Sequence, residues 1–177
     1  MRNETVAILT ALTVLVGAAG GARAEEAGTK PVQLALWNPV QIFDEETSIA
    51  GVRVNLLYGV NREMMGLDIG LGNHTRGNTT GFQWGLVGYT EGLFIGWQHN
   101  AFNYSAEIRG FQSGFYNGAE TATGFQLGFV NITEEMHGLQ IGVFNMTRKL
   151  HGLQIGVINV VQEKEDLPIL PIVNWSF

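Results

Sequence analysis

The sequence contains no cysteine, so disulfides and thiolate chemistry are excluded and stability must come from packing and backbone pairing. Basic residues are also scarce, with 10 Lys and Arg against 16 Asp and Glu, and they form no cluster. We therefore expect no nucleic-acid partner, because phosphate binding requires concentrated positive charge. Beyond the N-terminal region, no stretch approaches the roughly 18 consecutive apolar residues that a transmembrane helix needs.

Residues 1–24 have the pattern of a secretory signal peptide. Arg2 supplies a basic start, an apolar run extends from Val6 to Val16, and Ala22-Arg23-Ala24 is an Ala-x-Ala cleavage site. The apolar run is too short to span a bilayer as a helix, although a retained anchor is the alternative. We expect residues 25–30 to form a flexible linker and residues 31–177 a single β-repeat domain.

An eight-residue phrase recurs along this domain every 14 or 15 residues. Three consecutive copies are Gly124-Phe-Gln-Leu-Gly-Phe-Val-Asn131, Gly138-Leu-Gln-Ile-Gly-Val-Phe-Asn145 and Gly152-Leu-Gln-Ile-Gly-Val-Ile-Asn159. The leading glycines of the eight units are Gly51, Gly66, Gly81, Gly96, Gly110, Gly124, Gly138 and Gly152. Such a repeat indicates one structural unit copied along the chain.

Within each unit the side chains alternate in character. Positions two, four and six are almost all apolar, and positions one, three and five are mostly Gly, Gln and Gly. This period of two predicts a strand with one apolar face and one small or polar face, and two glycines would cost a helix about 2 kcal/mol. We infer that the Gly/Gln face is enclosed. We expect bulky residues further along each unit to cover the glycine gaps of neighbouring strands, namely Val130, Ile132, Met136, Phe144, Met146, Leu150 and Ile158.

The fold expected from this pattern is all-β: an antiparallel up-and-down meander closed into a barrel of about ten strands. Eight strands come from the units and two from residues 31–42 and 168–177, with turns centred on Thr133 and Thr147. The apolar faces would cover far more than the few hundred Å² that soluble monomers expose, so they must contact lipid or another protein layer. A closed barrel with this face outward leaves no unpaired edge.

A parallel β-solenoid is the main alternative. Identical residues would then stack into Gln, Asn and Gly ladders, which explains the fidelity of the repeat more directly. Against it, 14 residues make a very small coil, and Glu134 and Arg148 spoil a second inward apolar stripe. A twisted sheet or sandwich is a third arrangement.

Position three supplies the main candidate site. In a barrel these side chains form a belt inside the lumen, which is either a path for a small solute or a hydrogen-bonded plug with Arg53 and Asp68 paired. We favour the plug because the lumen of so small a barrel is narrow. The residues of this lumen belt are Arg53, Asp68, Gln83, Gln98, Gln112, Gln126, Gln140 and Gln154.

No arrangement typical of catalysis or metal binding stands out. His137 and His151 occupy the same repeat position, so a solenoid would stack them, whereas a barrel would put them at opposite ends. We expect no metal, no cofactor and no enzymatic activity.

The C-terminal stretch alternates like a strand, with Val173, Trp175 and Phe177 on one side. This ending is similar to the signal by which outer-membrane barrels are recognised for assembly. It predicts two partners, the lipid of the outer membrane and the barrel-assembly machinery.

The repeat phrase, the opening Pro31-Val-Gln-Leu-Ala-Leu-Trp-Asn38 and the ending Pro171-Ile-Val-Asn-Trp-Ser-Phe177 resemble an uncharacterised group of bacterial surface-repeat proteins. The resemblance implies a cell-surface or outer-membrane setting and brings no activity or catalytic residues. The expected function is that of a non-enzymatic, exported outer-membrane or surface protein with a structural role. The alternatives are a narrow solute channel through the Gln-lined lumen and a surface adhesin or interaction protein on a β-solenoid.

Overall fold

The computed structural model describes residues 28–177, which contain strands and no helix. The strands are β1 (Thr29–Trp37), β2 (Val40–Gln41), β3 (Ser48–Asn61), β4 (Met64–Thr75), β5 (Thr79–Val161) and β6 (Ile169–Ser176). The expected signal peptide, residues 1–24, lies outside the described residues. β1 begins inside the stretch 25–30 that was expected to be a linker.

Neighbouring units are parallel and in register. Gly51 is opposite Gly66 and Arg53 is opposite Asp68 in the pairing of β3 with β4, and Asp68 is opposite Gln83 in that of β4 with β5. Within β5 the chain coils on itself. The side chains of Gln112, Gln126, Gln140 and Gln154 show this, since each bonds to the Gln 14 residues earlier. The architecture is a parallel β-solenoid, which was the alternative, and the prediction of an antiparallel barrel is wrong.

The physical reason lies in how the polar side chains are satisfied. In a meander, adjacent units run in opposite directions, so only one position of each unit faces its own counterpart. Parallel stacking places every position on its equivalent, so each amide side chain meets another amide. Thr133 and Thr147, expected at the tips of turns, are instead buried.

The leading glycines lie where successive coils approach too closely for a side chain. All eight have positive φ angles, from 121° to 149°, a region that residues with a side chain rarely adopt. A methyl group on Gly138 would also overlap the carbonyl oxygen of Gly124 in the preceding coil. Both observations require glycine at this column.

The side chains at positions two, four and six point outward, as the alternation predicted, but the alternation does not continue around the coil. The consecutive residues Phe129 and Val130 are both on the outside, which turns Asn131 inward. The expectation that Val130 and Ile132 cover the glycine gaps is therefore wrong, since position-eight asparagines occupy that space.

The interior has only a partial apolar layer, from the residue two places before each leading glycine. It comprises Ile49, Met64, Phe94, Ile108, Ala122, Met136 and Leu150, with Thr79 at the remaining unit. Apart from Ala35, Val60, Ala119 and Val161, the rest of the buried side chains are polar, so the coil needs no continuous second apolar stripe. Glu134 and Arg148, which were counted against a solenoid, lie on the outside, where Arg148 Nε donates to Glu134 Oε2 at 2.9 Å.

Both ends of the solenoid carry an antiparallel strand. β2 pairs with β1 at the N-terminal end, and β6 pairs with the last coil, with Gln154 opposite Asn174. These strands cover edges that would otherwise present unpaired backbone groups.

Candidate functional site: the polar core and the apolar face

The eight residues predicted as a lumen belt lie in one buried column, with side chains that are at most 1% exposed. A solenoid has no barrel lumen for them to line. Their side chains fill the interior of the coil and bond to one another, which is the arrangement of the hydrogen-bonded plug with Arg53 beside Asp68. Gln33 of β1 and Asn174 of β6 extend the column at its two ends. Sequence reasoning missed both because they lie outside the eight units.

The glutamines of this column form a continuous hydrogen-bonded ladder. Each side-chain Nε2 donates to the Oε1 of the glutamine one coil earlier, at 2.7–3.0 Å from Gln98 through Gln154. The ladder begins on a carboxylate, since Gln83 Nε2 donates to Asp68 Oδ2 at 2.8 Å. At the other end Gln154 Oε1 is buried without a partner.

The charged pair at the start of the ladder is fully buried. Arg53 Nε donates to Asp68 Oδ1 at 2.7 Å and Arg53 Nη2 to Asp68 Oδ2 at 2.6 Å. The remaining guanidinium donors reach the His74 carbonyl at 2.9 Å and Thr75 Oγ1 at 3.1 Å. A buried ion pair requires this bidentate geometry and hydrogen-bond acceptors for the remaining guanidinium donors.

A second ladder runs through the asparagines at position eight. Asn103, Asn117, Asn131 and Asn145 each donate from Nδ2 to the Oδ1 of the asparagine one coil later, at 2.7–2.8 Å. Glutamine donors thus point to the N-terminal end and asparagine donors to the C-terminal end. The amide dipoles of the two ladders are opposed, and within each ladder the aligned bonds polarise one another.

Irregularities in the third and fourth units show how tightly this interior is specified. The third unit has Gly88 where the other later units have the ladder asparagine, and the fourth unit has Asn100 in place of its second glycine. Asn100 Nδ2 donates to Gln83 Oε1 at 3.0 Å and to Asn103 Oδ1 at 2.7 Å. A methyl group on Gly88 would overlap the Asn100 amide, so the two residues have exchanged roles in filling one space.

The outer side of the units forms what we call the apolar face, the side chains at positions two, four and six of all eight units. No Asp, Glu, Lys or Arg occurs among these positions. Several members are more than half exposed, including Leu56, Phe115, Phe125 and Val157. Rings stack along the columns, with Phe115 and Phe129 parallel at 5.1 Å between centroids.

The few polar groups on the apolar face satisfy one another. His99 Nδ1 and Ser113 Oγ are 2.7 Å apart, and Trp97 Nε1 donates to the same Ser113 Oγ at 2.8 Å. The face therefore offers little hydrogen-bonding capacity to a partner.

Several charged residues outside the apolar face pair with one another. Arg148 bonds to Glu134 and Glu163, which raise its pKa, with Glu163 making the larger contribution. The pKa of Glu45 is lowered, first by a hydrogen bond from Asn38 and then by Arg76. Burial raises the pKa of Tyr58. These shifts come from surface pairing and partial burial.

The two histidines at the same repeat position stack, as the solenoid alternative predicted. His137 and His151 stack with centroids 4.9 Å apart, so the barrel expectation that they lie at opposite ends is wrong. His137 Nε2 is also 3.3 Å from Glu135 Oε1. Within residues 28–177, no three His, Cys, Asp or Glu side chains are grouped so that they could hold a metal ion.

The C-terminal residues predicted as an assembly signal lie on or just beyond β6. Trp175 and Phe177 are exposed and Val173 is half-buried opposite Ile155. Between them Asn174 points into the core, where its Oδ1 accepts from Lys164 Nζ at 2.8 Å. In this structure β6 is the C-terminal cap of the solenoid, and its recognition by an assembly machinery stays a prediction.

Comparison with known proteins gives no match: no family model, no curated protein and no solved structure is similar to this chain. Among residues 28–177 no helix has the length and apolar character needed to cross a bilayer.

Proposed function

We propose that this chain is a non-enzymatic, exported bacterial surface protein in which the solenoid is a rigid scaffold and the outer surface binds a partner. This is the interaction-protein role among the functions expected from the sequence. The observation that carries it is the apolar face, an uncharged surface spanning eight coils that soluble monomers do not expose. A surface of this kind is typical of a site that another apolar surface covers.

The bonding of the interior indicates a structural role for it rather than a ligand-binding site. Its polar side chains are nearly all bonded to one another, and each ladder side chain is engaged by the coil before or after it. The side chains of the glutamine column are buried and bonded to one another, so they give no support to the solute channel that was an alternative. The groups available to a partner are those on the outside.

Export is the part of this proposal that rests on the sequence of residues 1–24, with their apolar run and Ala-x-Ala site. The test uses the full chain produced in a Gram-negative bacterium. Lysines of intact cells are labelled with a reagent that does not cross membranes, and a cytoplasmic protein serves as the internal control. We expect the protein to be labelled and to have lost its first 24 residues.

A matched pair of variants sharpens this experiment. Replacing both small residues of the cleavage site, Ala22→Leu with Ala24→Leu, should retain the N-terminal segment, whereas Ala18→Leu should be processed normally. A chain that keeps residues 1–24 and is labelled only after cell lysis would overturn the proposal.

A further inference from the structure

We propose that the apolar face is covered by the same face of a second copy of this chain, giving a two-fold symmetric dimer. The inference deepens the proposed function by naming the partner of the outer surface. It does not depend on where the protein is located in the cell. The argument has three parts: the size of the face, its lack of charge and polar donors, and its layout along the axis.

The size of the face fits a stable dimer. Eight coils at about 4.8 Å give a length of about 38 Å, and five residues at about 3.3 Å give a width of about 16 Å. One face is therefore roughly 600 Å², and two faces packed together bury roughly 1,200 Å², which exceeds the approximately 1,000 Å² expected of a specific interface. Two sheets packed face to face reach close packing at a separation of about 10 Å.

The chemistry of the face favours a protein surface over a lipid surface. Proteins that lie on membranes surround their apolar face with Lys and Arg, which contact anionic headgroups. This chain has an excess of acidic residues, and its Arg148 and Arg76 are each engaged by two glutamates. Trp97, His99 and Ser113 bond to one another in the middle of the face. A partner could therefore exclude water there without leaving these polar groups unpaired.

The layout of the face is self-complementary. Aromatic residues are concentrated in the third to sixth units, for example Trp84, Trp97, Phe111 and Phe125, and the first two and last two units are aliphatic. The order of the residue types is therefore the same from either end. A two-fold axis in the plane of the interface brings aromatic rings onto rings and aliphatic ends onto aliphatic ends, as an isologous contact requires.

The first test measures mass in detergent-free buffer by sedimentation equilibrium of the full chain as it is purified from cells. We expect about twice the mass of one chain. Leu127→Lys, which puts a charge in the middle of the face, should weaken self-association at least 100-fold. The matched control Gln162→Lys adds the same charge at an exposed position away from the face and should leave the dimer intact. Circular dichroism of all three proteins verifies that the β-structure is retained.

A second test locates the contact and does not depend on a destabilising variant. Because the chain lacks cysteine, a single Phe115→Cys substitution provides one thiol in the middle of the face, and Glu120→Cys provides one on an exposed position off the face. A bismaleimide that spans about 10 Å should couple two Phe115→Cys chains and leave Glu120→Cys chains uncoupled, because packed sheets lie about that far apart.

Three results would overturn the dimer. They are a monomer at all concentrations, a monomer that floats with vesicles containing phosphatidylglycerol, and equal cross-linking of both cysteine variants. A monomer that is still labelled on intact cells would overturn the dimer and leave the proposed surface function standing. A dimer retained in the cytoplasm would do the reverse.

Discussion

Replacing a glutamine in the middle of the ladder should cost far more stability than replacing the last one. Gln126 donates to Gln112 Oε1 at 2.8 Å, and its own Oε1 accepts from Gln140 Nε2 at 2.7 Å and from Thr133 Oγ1 at 2.8 Å. Gln154 donates to Gln140 Oε1 at 2.7 Å, but its own Oε1 accepts nothing. The same substitution to Leu therefore breaks different numbers of bonds at the two positions.

The magnitudes follow from the groups left without partners. Gln126→Leu leaves the Gln112 carbonyl oxygen without a donor and the Thr133 O–H without an acceptor, while the Gln140 amide still donates to Thr133 Oγ1 at 3.2 Å. At about 1–3 kcal/mol for each stranded buried group, the expected loss is about 2–6 kcal/mol. Gln154→Leu strands the Gln140 carbonyl oxygen, removes a 3.3 Å bond to the Val160 carbonyl oxygen and removes an oxygen that was already unpartnered. We therefore expect a loss of about 0–2 kcal/mol.

Urea unfolding followed by tryptophan fluorescence measures the difference, since Trp84 and Trp97 lie on the middle coils. The comparison is valid where the dependence of the unfolding free energy on urea is unchanged by the substitutions. Because the proposed dimer would link stability to concentration, all variants are measured at one protein concentration. Equal losses at the two positions, or a loss below about 1 kcal/mol at Gln126, would refute the reasoning.

Three further predictions concern the same core. Arg53→Gln or Asp68→Gln alone should each cost about 3–5 kcal/mol in urea unfolding by leaving a buried charge unpaired, whereas the double variant should cost less than either because it extends the glutamine ladder. Gly88→Asn and Asn100→Gly should each destabilise the protein, and combining them should restore much of the loss; a double-variant loss equal to the sum would contradict the exchange of roles. Gly138→Ala should lower the thermal midpoint strongly, since both its positive φ and the overlying carbonyl oxygen exclude a methyl group; a change within 1 °C would contradict this.

The alternation of apolar and small residues was sufficient to predict which side of each strand faces outward. It placed Leu127 outside and Gln126 inside, and the structure has both there. The alternation carries this information because side chains of a strand point to opposite faces whether its neighbours run parallel or antiparallel. For the same reason it could not predict the direction of the neighbours, and the barrel prediction failed at that step.

The alternation along a strand also could not predict which residues fill the core at the corners of the coil. Asn131 lies inside because two consecutive residues, Phe129 and Val130, point outward at a corner of the coil. A pattern of period two carries no signal for such a corner. The exchange between Gly88 and Asn100 was equally hidden, since the two residues meet only when successive coils are stacked.

The sequence by itself determined that this protein is built from one β unit repeated eight times, with an enclosed Gly/Gln side and an uncharged apolar side. Those properties follow from residue type and spacing along a single strand, which are local. Only the tertiary structure decided that the units stack in parallel and that the glutamines and asparagines form opposed ladders. These are relations between residues on different coils, and they are fixed by the requirement that every buried amide and charge find a partner in the neighbouring coil.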